Sequence, residues 1–91
     1  MTKEIELITK IEVSPDLWAT SILPEGVIER WLFRDGSRVQ AGDPVATVRI
    51  EDALHELVAP ARGRLNIGLQ VNSVVEPGTA IGTVIRQVSI T

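Results

Sequence analysis

Short apolar stretches alternate with Gly and Pro along the whole chain. Pro15, Pro24, Gly26, Gly36, Gly42, Pro44, Pro60, Gly63, Gly68, Pro77, Gly78 and Gly82 cut it into segments rich in Val, Ile and Thr, and helix signals between them are poor. The pattern predicts an all-β chain with strands near 4–12, 17–22, 26–33, 38–40, 45–50, 53–58, 63–68, 74–75 and 80–89. In the first, Ile5, Leu7 and Thr9 share one face and Glu4, Glu6 and Ile8 the other. In "ALHEL", Leu54 and Glu56 oppose Ala53, His55 and Leu57; both faces are mixed, which predicts an exposed hairpin rather than a core strand.

The pattern also repeats. "SRVQAGDPVATV" (37–48) lies over "SVVEPGTAIGTV" (73–84), with Ser37 on Ser73, Val39 on Val75, Gly42 on Gly78, Thr47 on Thr83 and Val48 on Val84. Gly26 and Gly63 open the two units. Neither unit is large enough to close a core, so the two are expected to pack about an approximate two-fold axis. The link between them, "RIEDALHELVAPA", carries an acidic pair, Glu51-Asp52, which this arrangement sets at the tip of a projecting hairpin.

Composition narrows the function classes. The chain has 91 residues, enough for one domain spanning 1–91. It has no cysteine, which excludes a disulfide framework, a thiolate metal site and a thiol nucleophile. A net charge of −3 argues against nucleic-acid binding, where a basic excess is the rule. No apolar run approaches a membrane span, and "MTKEIELITK" lacks the apolar core of a signal peptide, so a cytoplasmic location is expected.

The ordered set Gly26-x-Ile28-x-x-Trp31-Leu32, Gly36, Val39, Ala41-Gly42-Asp43, Val45-Ala46-x-Val48 and Ala59-Pro60-x-x-Gly63, continued by Val75, Pro77-Gly78, Ile81 and Val84, resembles the biotinyl/lipoyl attachment domains of 2-oxoacid dehydrogenase acyltransferases and biotin carboxylases. The likeness covers about residues 19–86. It implies a flattened β-barrel or sandwich of two four-stranded antiparallel sheets with quasi-two-fold symmetry, both termini at one end and the tip hairpin at the other. Ser37 departs from the Asp often found after the preceding glycine. Gly36 and Gly42 read as turn residues, and Trp31 and Trp18 as packing residues.

In the resembled family the tip carries a lysine whose amine forms an amide with lipoate or biotin. Counting from Gly42-Asp43 or back from Ala59-Pro60, that position falls on Asp52, with Glu51 before it and the small Ala53 after it. A carboxylate cannot form an amide with another carboxylate, and the only lysines are Lys3 and Lys10. No cofactor is therefore expected, and Glu51, Asp52 and Ala53 become candidate contacts for a protein partner, such as a component of a carrier-dependent enzyme complex.

Other chemistry is thin. Glu51, Asp52, His55 and Glu56 form the one cluster of metal-ligand types, with a single His and no zinc spacing, so no metal is expected. No motif sets Ser21, Ser37 or Ser73 beside His55, and no catalytic residues are expected. Arg30, Arg34, Arg38, Arg49, Arg62, Arg64 and Arg86 read first as solvated strand faces; they also leave the charge uneven against the acidic tip, a bias able to orient a docking partner. The leading expectation is an unmodified, non-enzymatic interaction or accessory module. The alternative is a covalent lipoyl or biotinyl carrier domain of a dehydrogenase or carboxylase complex; a small enzyme or metal protein has least support.

Overall fold

The computed structural model describes residues 3–18 and 25–90. Among the described residues eight strands, β1 (Lys3–Glu12), β2 (Gly26–Trp31), β3 (Arg38–Val39), β4 (Pro44–Ile50), β5 (Ala53–Val58), β6 (Gly63–Ile67), β7 (Val74–Val75) and β8 (Ala80–Ile90), form two four-stranded antiparallel sheets. Their orders are β1-β8-β6-β3 and β5-β4-β2-β7. The expected strand at 17–22 is corrected in part. Leu17 and Trp18 close a short 3-10 helix, Pro15–Trp18, seeded by Ser14, whose Oγ accepts from Asp16 N while its carbonyl accepts from Leu17 N. The remainder of that span, with Ser21, lies outside the described residues. Among the described residues no helix is long and apolar enough to cross a membrane.

The two-fold repeat is written in the topology. Replacing β1, β8, β6 and β3 by β5, β4, β2 and β7 turns one sheet order into the other. Each unit gives its two-residue strand to the opposite sheet: β3 pairs β6 and β7 pairs β2. That exchange is why neither unit closes alone. Turn chemistry repeats too. Gln40 N donates to Asp43 Oδ2 at 2.8 Å, and Glu76 N to Thr79 Oγ1 at 2.9 Å. Gly36 at φ 86° is matched by Asn72 at φ 74°, a residue that tolerates the left-handed region better than most.

Between the sheets lie Ile28, Val39, Val45, Val48, Leu65, Val75, Ile81 and Val84, all buried, with Trp31, Phe33 and Leu69 packed at the margin. β-branched side chains dominate, as suits a thin core between pleated surfaces. The Trp31 indole donates to Leu69 O at 2.9 Å, tying the first unit to the loop that leads into β7. The molecule is elongated, 55 × 22 × 19 Å, because β1 and β8 run on together past the sandwich. The sequence alternation in β1 is present, but residues 3–8 are all exposed and only Ile11 is buried.

Candidate functional site

The acidic pair forms the turn of a hairpin. β4 and β5 pair in register from Ile50↔Ala53 through Arg49↔Leu54, Val48↔His55 and Thr47↔Glu56 to Ala46↔Leu57 and Pro44↔Val58, with a bulge near the base. Glu51 and Asp52 are the two connecting residues. A two-residue loop of type I′ needs positive φ at both positions and type II′ only at the first. Here Glu51 alone is positive, at φ 54°, a position that usually selects glycine.

Local packing holds the turn up. Ile50, just before it, is buried, and Gly26 lies so close below that a Cβ there would stand 3.0 Å from Ile50 Cγ1 and 3.2 Å from Arg49 O. One flank carries the exposed ion pair Arg49 Nε to Glu29 Oε2 at 3.5 Å, which at that exposure contributes little to stability. Beyond Ile50 the burial ends: Glu51, Asp52, Ala53 and Leu54 are all exposed. The tip is therefore a loop seated on the buried Ile50, with an exposed acidic end.

The three residues singled out from sequence, Glu51, Asp52 and Ala53, do come together at this tip. His55 does not join them. It sits half-buried on the inward side of β5 opposite Val48, while Glu56 is exposed opposite Thr47. Among the described residues no three His, Asp or Glu side chains are grouped to hold a metal ion. The expectation that 53–58 is only an exposed hairpin is corrected at its base, where Leu57 joins the core because it shares the inward face with Ala46. The lysines lie elsewhere. Lys3 and Lys10 are on β1, and Lys10 shares a shallow hollow with Leu57, Val58 and Pro60, at the end of β5 away from the turn.

A second charged feature was only half legible. Arg38 on β3 stands directly opposite Arg64 on β6. Arg38, Arg62 and Arg86 line one open hollow with Gln40 and Gln87, and Arg38, Arg64 and Arg86 line the next. Among the described residues no acidic side chain lines either hollow. This face is at the opposite end of the sandwich from the tip, since Gly42 N bonds Ala59 O where β4 begins, and β4 then runs seven residues to the turn. The sequence showed uneven charge but not this convergence, which depends on β3 crossing to the other sheet.

The profile of the biotin/lipoyl family, described as biotin-requiring enzyme, matches residues 18–84. Comparison with curated proteins finds no match.

Proposed function

The chain belongs to the biotin/lipoyl family, and from that premise we propose that it is a carrier-shaped module that works without a carried group, docking on a protein partner through the tip of the β4–β5 hairpin. The observation that carries this reading is the identity of the turn: Glu51-Asp52, with Asp52 where the resembled family has its acceptor lysine. The residues present do not fit covalent attachment. An amide to lipoate or biotin needs an amine nucleophile, and the side chains at the tip are two carboxylates and a methyl group. The tip also keeps a non-glycine residue at positive φ, a strain worth about 1–2 kcal/mol. A selected side chain held in a costly conformation on an exposed loop supports a contact role.

In this reading the module is a binding protein and not an enzyme, acts in the cytoplasm, and addresses a component of a carrier-dependent complex. Glu51, Asp52 and Ala53 make the contact, and Arg38, Arg62, Arg64 and Arg86 at the far end give the molecule a charge polarity that orients its approach. The second reading is a covalent lipoyl or biotinyl carrier, favoured by the family match itself. It requires modification of an unexpected residue, for which Lys3 and Lys10 on β1 supply the side-chain amines, or a different register of the family pattern at the tip.

Intact mass spectrometry of the protein made in cells with active lipoate and biotin ligases separates the two. The unmodified mass is expected. An added lipoyl or biotinyl mass would overturn the first reading, and peptide mapping would then locate it.

A further inference from the structure

β1 is the edge of its sheet, bonded to β8 on one side and, among the described residues, to no strand on the other. Ten residues long, it presents an unusually extended row of backbone donors and acceptors. Its projecting part also exposes apolar side chains on both faces. Ile5, Leu7 and Ile90 are 40–45 % exposed on the face that continues the core, and Ile8 is 60 % exposed on the other. Natural edge strands carry charges that block pairing, and β1 has Lys3, Glu4, Glu6, Lys10 and Glu12. The placement of those charges decides whether pairing is blocked or selected.

Two copies of β1 joined edge to edge are antiparallel about a two-fold axis perpendicular to the sheet. Such an axis keeps each face on its own side, so every residue meets one of the same parity and the axis passes through a residue. Only a few registers with five or more residue pairs exist, and almost all set like charges opposite: Glu4 on Glu6, Glu6 on Glu6, Glu4 on Glu12, Glu6 on Glu12, or Lys10 on Lys10. Directly opposed like charges are destabilising. The register centred on Leu7 has none. It pairs Leu7 with Leu7, Ile5 with Thr9, and Glu4 with Lys10 twice over, while Glu6 lies diagonal both to Lys10 and to Glu6 of the second copy. On the other face Ile8 comes diagonal to Ile8 of the second copy.

We propose that the protein forms a two-fold dimer through the β1 edge in this register, giving a β8-β1-β1-β8 ribbon with Leu7 at its centre. The occupant of the open edge is a second copy of this chain, chosen by charge complementarity. Because the ribbon leaves the sandwich at the end away from the Glu51-Asp52 turn, where Leu7 and Thr9 share a hollow with Gln40, Ala41, Ala61 and Arg62, the dimer holds two tips facing outward. This makes any tip-directed binding bivalent, but the dimer does not depend on what the tip binds.

Sedimentation velocity of the full chain over a micromolar-to-millimolar series tests the proposal. A mass rising toward twice 9.9 kDa is expected. Leu7→Lys sets two ammonium groups against each other at the centre and should leave a monomer. Lys10→Glu turns both attractive pairs repulsive and should weaken dimerisation roughly tenfold. Adding Glu4→Lys to Lys10→Glu should restore it, and circular dichroism confirms that each variant is folded. A monomer throughout the series overturns the proposal. So does a dimer indifferent to Leu7→Lys and Lys10→Glu, or a double variant that stays as weak as Lys10→Glu alone.

Discussion

The backbone N–H of Gly42 donates to the carbonyl of Ala59 at 2.8 Å, closing the base of the tip hairpin. Its counterpart in the second unit is Gly78, which donates to Val13 at 2.7 Å. Both glycines sit at φ near 90°, with open space where a Cβ would go. The β4–β5 hairpin that carries the tip and the β8–β1 ribbon that carries the open edge are thus equivalent parts of one repeated design.

Glycines in this fold are held for two different reasons, and substitution separates them. Gly42→Ala meets no atom and carries only the backbone penalty, so a loss of about 1–2 kcal/mol is expected. Gly82→Ala places a methyl group 2.5 Å from Asn66 O, where β6 and β8 pair, and forces those strands apart. A loss of about 3 kcal/mol or more is expected. Urea denaturation of the two variants measures the difference; equal losses would contradict the assignment.

Trp31 joins the halves by a hydrogen bond as well as by packing. Trp31→Phe keeps most of the ring but leaves Leu69 O without its 2.9 Å donor. A destabilisation of about 1–2 kcal/mol is expected from a partly buried acceptor. A variant as stable as the parent would show that water replaces the indole at no cost.

Arg38 opposite Arg64 is a like-charge pair that the fold tolerates. Arg64→Glu converts it to an attractive pair and should stabilise the domain by about 0.5–1 kcal/mol in low salt. The gain should fade near 1 M salt, where charges separated by more than about 3 Å are screened. Thermal melts at two ionic strengths give the sign directly.

Much of the fold was legible because its signals are local. Gly and Pro bound nearly every strand, and β5 and β7 begin and end where their turn residues place them. The repeat was legible because Gly42 and Gly78 serve the same turn. What stayed hidden depends on partners distant in sequence. Nothing in "RDGSRV" shows that Arg38 crosses to the other sheet to face Arg64. Alternation in β1 predicts two faces, but not that residues 3–8 project beyond the body that would bury one of them. Leu17 and Trp18 are apolar enough for a strand; the Ser14 cap, which competes for the local backbone, turns them into a 3-10 helix. At the tip the sequence supplied the residues, and the structure added the positive φ of Glu51.

The tip itself admits a direct test of what the scaffold retains. Asp52 is exposed, follows the strained residue rather than being it, and precedes the first residue of β5, so a lysine fits there without disturbing the hairpin. Asp52→Lys presents an amine on a long stem at the end of a seated turn, beside the acidic Glu51. If the scaffold has kept the recognition surface of its family, a lipoate ligase should acylate this variant and leave the parent untouched. The added mass should vanish when Asp52→Arg replaces Asp52→Lys, since a guanidinium supplies charge and length but no acylable amine. Acylation of the lysine variant would show that residue 52 alone separates this tip from one that a lipoate ligase accepts. A folded variant that the ligase ignores would mean that the recognition surface around the turn has also diverged.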